Sequence, residues 1–272
     1  MGSRLKEISV LEGVGIQVDF CVMHHENVIL RLAGQTRRAD CVMLNHTMPT
    51  STVEDYLKQI CLEQDRNGGA MVSPGRIASA LDVAPATVTA MMKTLTESGL
   101  VIYEPYAGVK LTSAGYKLAV HVLRRHRLIE LFLVRFMKMD WSEVHQEAEV
   151  LEHAISDHFL QRMDEMLGRP SVDPHGDPIP SASGQLPSND GVSLLTCPTG
   201  VPLRVTRVTD QRAEFLQLLE RHRLKPGTLV RIDSRDELAG MVMVHPDGLE
   251  PVQLGFSAAA RILVERHPTA ES

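Results

Sequence analysis

Cysteine is scarce and scattered in this chain. Cys21, Cys41, Cys61 and Cys197 form no Cys-x-x-Cys pair. That excludes a cysteine zinc knuckle and a disulfide framework, and points to a reducing cytosol. Long apolar runs are lacking too. No window of about 18 residues is apolar and uncharged, so no transmembrane helix is expected. The N-terminus lacks the basic patch, apolar core and small-residue cleavage site of a secretion signal. His-Glu-x-x-His is absent, as are the paired Glu-x-x-His motifs of four-helix di-iron sites. With no activated nucleophile beside its one carboxylate-rich helix, the chain is not expected to be an enzyme or to take a small-molecule substrate.

What is present suits two or three compact domains: 272 residues, 43% of them hydrophobic. The net charge of −6 is unevenly spread. From Met48 to Arg135 ten basic residues face eight acidic ones, so the acid lies elsewhere. Affinity for nucleic acid depends on local positive charge near phosphates rather than on the whole-chain balance.

Residues 1–47 have short apolar runs, Val14 to Val22 and Val28 to Leu32, without a clean period, and stand apart as an extension of uncertain order. At Met48 the pattern changes. Thr50 or Ser51 can cap a helix with Val53, Tyr56, Leu57, Ile60 and Cys61 on one face. Ser73-Pro74 starts a second helix, to about Leu81. Asp82-Val83-Ala84-Pro85 makes a turn, and a third helix runs from about Ala86 to Ser98 before Gly99. Two short helices joined in this way make a helix-turn-helix. Leu100 to Glu104 and Val109 to Leu111 then read as the strands of a β-wing. Thr112 opens a helix to about Lys138, and another is expected from Trp141 to about Leu167. Prolines 170, 174, 178, 180 and 187 mark a linker over 171–195. The rest, Thr196 to Glu265, alternates as strands do, with one helical piece from Gln211 to Arg221.

The expected fold is therefore mostly α. A winged helix-turn-helix (48–120) precedes a helical dimerisation and metal domain (121–170), and after the linker comes a small SH3-like β-barrel (196–267). In a helix-turn-helix the start of the second helix faces the major groove. Here that start is Ala84, Pro85, Ala86, Thr87 and Thr89. The threonines can donate to phosphate, and the small residues allow approach to thymine methyls. Arg76, Lys93 and Lys110 are candidate backbone contacts.

The helix after Trp141 carries Glu149, Glu152 and His153 at i, i+3 and i+4, all on one face, with His145 one turn earlier. Two carboxylates and an imidazole converging there repel one another unless a cation or proton lies between them. The preceding helix adds His126 and Glu130, and the first helix adds Asp55. Oxygen and nitrogen donors without thiolate suit Mn²⁺ or Fe²⁺. A solvated acidic face is the plain alternative. It would leave a winged-helix regulator that answers to a non-metal effector.

Taken together, the runs Met48 to Leu57, Arg124 to Glu130, Val144 to His153 and Pro174-His175-Gly176-Asp177-Pro178-Ile179-Pro180 resemble the diphtheria toxin repressor family, and within it the manganese transport regulator branch, over about residues 48–267. The resemblance implies a cytoplasmic homodimer that represses metal-homeostasis genes by binding double-stranded operator DNA when loaded with metal. It implies a primary site of Asp55, Glu149, Glu152 and His153, and a second site of His126, Glu130 and His145. Gln211 and Glu214 of a FeoA-type barrel are possible ancillary ligands. Carboxylates at 55 and 149, where iron-type members place sulfur, favour Mn²⁺ over Fe²⁺. One departure is Lys58, where some manganese members carry a carboxylate. It argues against adjacent paired metals and for a separated second site.

Overall fold

The computed structural model describes residues 18–23, 27–32, 50–187 and 191–267. The described residues fall into two compact units, one within 1–49 and the other within 50–272. In the first unit, β1 (Val18–Met23) and β2 (Asn27–Leu32) pair antiparallel, Val18 opposite Leu32. The described parts of the two apolar runs that show no clean period are thus paired strands. His24 and His25 lie outside the described residues.

In the second unit, α1 (Ser51–Arg66) is capped by Thr50, whose side chain accepts from the Val53 N–H. Helix α2 (Pro74–Ala80) is capped by Ser73 with proline in its first turn, and α3 (Pro85–Glu97) follows a four-residue turn. The wing is β3 (Val101–Glu104) and β4 (Gly108–Leu111). Val72 adds a bridge to Val109, two N–H···O bonds of 2.8 and 2.9 Å, which fastens the wing to the loop before α2. The predicted apolar faces meet in one core of Leu57, Ile60, Ile77, Val88, Met92, Leu95 and Val101.

Helix α4 (Ser113–Arg135), capped by Thr112, is about 35 Å long at 1.5 Å per residue. Its Ala119 and Val120 belong to the head core, whereas Leu128, Ile129, Leu131 and Leu133 belong to a second core. The 120/121 boundary thus falls inside a continuous rod. The single helix expected from Trp141 to Leu167 is broken. Helix α5 (Val144–Leu151) ends at Glu152, and α6 (Asp157–Met166) starts after Ser156, whose hydroxyl accepts from the Phe159 N–H. Ser156 followed by Asp157 is a cap signal inside an otherwise helical pattern. The break lets Leu151 and Ile155 pack on the second core with Val144, Ala148, Leu160 and Met163.

The C-terminal part is antiparallel: β5 (Val192–Ser193), β6 (Pro202–Val208), β7 (Leu229–Asp236), β8 (Met241–Pro246), β9 (Val252–Gly255) and β10 (Ile262–Arg266). Their order is β5-β10-β6-β7-β8-β9. Helix α7 (Ala213–Arg221) buries Phe215, Leu216 and Leu219 against the sheet, and α8 (Phe256–Ala259) is one turn between β9 and β10. The expectation of a mostly α chain is not confirmed: the described residues hold ten strands beside eight helices, with a whole domain built on a sheet. Trp141, from the segment after α4, is buried in the sheet core, and Lys225 lies 5.1 Å from its ring centre. No helix among the described residues is long and apolar enough to cross a membrane.

Candidate functional site

The break after α5 places Glu152 and His153 beside α1. Asp55, Glu152 and His153 each bring one donor atom within 4.8 Å of the others. The His153 ring lies with Nε2 2.9 Å from Asp55 Oδ1 and 3.5 Å from Glu152 Oε1, and with Nδ1 2.6 Å from Glu54 Oε2. Glu54 therefore orients the ring from the side away from Asp55. Its neighbour Asp55 was singled out by sequence and Glu54 was not, since both lie in the same turn and spacing does not rank them. Burial pushes the Asp55 carboxyl up despite the His153 and Lys58 charges. Burial also opposes charge on His153, yet the hydrogen bond its ring donates to Glu54 and the charges of Asp55 and Glu152 outweigh it and raise its pKa. The group thus calls for positive charge at its centre.

A second group holds His126, Glu130 and His145, the expected second-site trio. His126 Nε2 is 2.9 Å from Glu130 Oε1 and 3.1 Å from His145 Nδ1, and His145 Nδ1 is 3.2 Å from Glu130 Oε1. Glu149, assigned by sequence alongside Asp55, groups here instead: its Oε1 is 3.6 Å from both His126 Nδ1 and His145 Nε2. The same Oε1 accepts from Lys58 Nζ at 2.8 Å, and Lys58 also donates to Glu152 Oε1 at 2.5 Å. Glu152 Oε2 faces His126 Nδ1 at 2.6 Å. Burial opposes charge on His126, but Glu130 and Glu152 lift it to about 10.

A third group comes from the proline-rich stretch, which packs closely rather than spanning open solvent. Asp173, His175 and Asp177 are buried, and with Glu130 the first two make a donor set. Glu130 Oε2, Asp173 Oδ2 and His175 Nδ1 are all buried without a hydrogen-bond partner. Orphaned buried polar atoms are costly. Two carboxylate oxygens facing an imidazole nitrogen form a set suited to a hard divalent cation. Burial, with Asp177 and Glu130 adding, pushes Asp173 up to about 8. His175 is held at about 9 because Glu130 and Asp173 outweigh its burial. His175 Nε2 lies 2.9 Å from the Trp141 carbonyl, and its backbone carbonyl accepts from the Val208 N–H, so the loop bridges the helical part and the sheet. Gly176 is required there: φ is +86°, and a Cβ would lie 2.0 Å from the Thr206 carbonyl oxygen. Asp173 and His175 were missed from sequence. Their only signal was the Asp-Pro-His-Gly-Asp run, which reads as a loop. Of the possible ancillary ligands, Gln211 donates to Asp177 Oδ2 at 2.5 Å, whereas Glu214 is exposed and joins no donor group among the described residues.

At the other end, α3 presents exposed Ala84, Pro85, Ala86 and Thr87. No side chain caps the helix, so its N-terminus is open to an anion. Thr89 is half-buried and donates back to the Pro85 carbonyl at 3.0 Å. Lys93 and Lys110 are exposed. Arg76 is paired with buried Glu63 at 2.9 Å while remaining half-exposed.

Three family models match the chain in order. They describe an iron dependent repressor N-terminal DNA binding domain (48–109), an iron dependent repressor metal binding and dimerisation domain (112–181) and a FeoA domain (192–266). An uncharacterised HTH-type transcriptional regulator of Methanocaldococcus jannaschii is 39% identical over 114 residues, which is 42% of this chain and 90% of that protein. Among solved structures, a manganese-dependent transcriptional repressor in complex with manganese is 38% identical, with a TM-score of 0.71, covering 79% of this chain and 100% of that one. ScaR with bound Zn²⁺ is 35% identical, with a TM-score of 0.66, over 80% of this chain and 100% of that one.

Proposed function

Since the chain belongs to the diphtheria toxin repressor family of metal-dependent transcriptional repressors, we propose that it binds operator DNA as a homodimer when loaded with Mn²⁺, and so represses genes of metal uptake. The carrying observation is that Asp55, on the first helix of the DNA-reading head, converges with Glu152 and His153 at the end of α5. The two sides of that cluster belong to different parts of the molecule. Asp55, Glu152 and His153 would hold a divalent cation, whose positive charge would offset the repulsion between the two carboxylates. Asp55 then ties α1 to α5, and Glu54 holds the His153 ring in register. Glu130, Asp173 and His175 are the best-prepared donors for a second ion, with His126 and His145 beside Glu130. This reading moves the second site of sequence analysis toward the loop.

The oxygen-rich donor set supports Mn²⁺, as does the likeness to a manganese-dependent repressor. Fe²⁺ is the alternative, since mixed carboxylate and imidazole donors suit it as well. On the DNA side, the open start of α3 and the hydroxyl of Thr87 face phosphate, with Lys93 and Lys110 as flanking backbone contacts. Arg76 reaches phosphate only from within its pair with Glu63. The boundaries 48–120, 121–170 and 196–267 serve as working domains, with α4 shared by the first two. The sheet domain braces the loop through Gln211 and Arg207, both of which meet Asp177.

The test is fluorescence anisotropy of the full chain on its own upstream promoter DNA at fixed salt, with chelator, Mn²⁺, anaerobic Fe²⁺ and Zn²⁺ in parallel. Operator binding that appears with Mn²⁺ and vanishes with chelator supports the reading. Appearance with Fe²⁺ alone reassigns the metal. Binding indifferent to chelator refutes the sensor and leaves a regulator of the non-metal kind.

A further inference from the structure

Positive charge converges where the end of α1 meets the turn before α7. Arg66, the last residue of α1, and Arg212 and Arg261 of the sheet domain line one open cavity of about 400 Å³. Two carboxylates organise these guanidiniums. Glu63 Oε1 accepts from Arg66 Nη1 at 2.6 Å, and Glu63 Oε2 lies 2.9 Å from Arg76 Nη2. Asp210 Oδ2 accepts from Arg212 Nη2 at 2.7 Å and from Arg261 Nη1 at 2.8 Å. Its Oδ1 accepts from the Arg212 backbone N–H at 3.1 Å and from Arg212 Nε at 3.0 Å. The bonds from Arg212, with the Arg261 charge, hold the Asp210 carboxyl below the usual carboxylate range, so it stays ionised. Each carboxylate is thus shared by two arginines, and each set keeps one positive charge over.

We propose that this cavity binds a dianion of the phosphate class, clamped between Arg66 of the DNA-reading head and Arg212 and Arg261 of the sheet domain. The site shares no residue with the metal donors and does not depend on them. Charge supports it. Arg66, Arg76, Arg212 and Arg261 stand against Glu63 and Asp210, a balance of +2 that one dianion cancels. Like charges brought together from two domains repel until an anion lies between them. Geometry supports it as well. A guanidinium has five N–H donors in a planar fork that matches phosphate oxygens. The carboxylates use only some of these. Among the described residues, Arg66 Nη2, Arg212 Nη1 and Arg261 Nη2 have no hydrogen-bond partner. Asp210 lines the cavity too, but both its oxygens are engaged by the arginines, so it orients them. The cavity lies within the ~300–1,000 Å³ of small-ligand sites. It takes inorganic phosphate or a small phosphate monoester through the same contacts.

The experiment is isothermal titration calorimetry on the full-length chain, freed of metal by dialysis and held at constant ionic strength. Inorganic phosphate and glycerol 3-phosphate are the two probes. The variants are Arg66→Gln, Arg212→Gln and Arg261→Gln. Arg231→Gln is the control, an exposed arginine paired with Asp233 and not among the cavity's lining. Saturable binding of one anion per chain is expected. Each cavity variant should weaken it ~10-fold or more, as loss of a charge-assisted contact does, and Arg231→Gln should leave it unchanged. Tighter binding of glycerol 3-phosphate assigns the site to a phosphorylated metabolite, and tighter binding of inorganic phosphate to the free ion. No saturable binding of either probe overturns the inference. So does binding that Arg231→Gln weakens as much as the cavity variants do. The three cavity side chains are 41–68% exposed, so the variants should fold, and any one that does decides the matter. Operator affinity without phosphate should be the same in Arg212→Gln as in the parent. A loss there, with neither probe bound, would put a DNA phosphate in the cavity and overturn the small-anion assignment.

Discussion

Asp55→Asn isolates the link between metal and DNA with little disturbance of the fold. Asparagine keeps the shape of the side chain and removes its charge. The Asp55 side chain is 35% exposed, and its side-chain hydrogen bond is to His153. A pair exposed to that degree contributes about 0–1 kcal/mol to stability, so the variant should fold and dimerise. Its effect on regulation should be far larger. Carrying the head from about 1:99 to about 99:1 in favour of the DNA-ready form requires ~10⁴-fold preferential metal binding, about 5.5 kcal/mol. Loss of even an outer partner of a metal ligand costs ~10–100-fold in affinity. Taking ~100-fold, about 2.8 kcal/mol, for the ligand itself, the preference falls to ~10², and saturating metal brings the head only to about 1:1. The metal concentration at half-maximal operator binding should rise ~100-fold, and the plateau should fall by about half at subsaturating protein. Anisotropy titrations with Mn²⁺ against labelled operator measure both. An activation curve superimposable on the parent's would refute the idea that Asp55 couples α1 to the metal.

Other consequences are open to measurement. Glu152→Ala takes one of two carboxylate partners from each of Lys58 and His126, so it should lower unfolding free energy by ~1.5–3 kcal/mol and abolish metal-dependent operator binding; unchanged urea midpoints would show that these buried contacts are not as drawn. Stripping metal with chelator should lower the thermal midpoint, since a ligand at 100 times its Kd stabilises by about 2.7 kcal/mol; a calorimetric scan indifferent to Mn²⁺ would count against any tight site. The chain has one tryptophan, and Trp141 stacks on His175 with ring centres 5.6 Å apart. Mn²⁺ binding at Glu130, Asp173 and His175 should therefore change its emission, and His175→Ala should silence the response.

Elements whose signals are local were legible in the sequence. Thr50, Ser73 and Thr112 cap the helices that their neighbours predict, because a cap needs only its own first turn. The winged head followed from the same kind of evidence. The donors on α4 and α5 were legible because helical spacing puts Glu130 one turn after His126, and Glu149 one turn after His145. What failed depended on contacts distant in sequence. Periodicity carries Trp141 to Leu167 as one helix, and the cap at Ser156 was overridden by it. The resemblance places Glu149 with Asp55, and the Lys58 ammonium reaching across from α1 to its Oε1 is a contact that helical spacing does not encode. Asp173 and His175 lie in a stretch whose composition reads as a spacer. Their burial comes from packing against α4 and the sheet, which composition does not encode.

The burial of Trp141 in the sheet core makes the C-terminal module hard to discard. A gene shortened to end before Val192 would encode a repressor with an indole turned out toward water. Exposed apolar surface of that kind favours self-association. Lineages that dispense with the module should therefore carry a polar residue at the position of Trp141. An ancestral truncation would have needed that change first, or have passed through a sticky intermediate. The order of those two events can be tested by building both single steps and comparing their solubility.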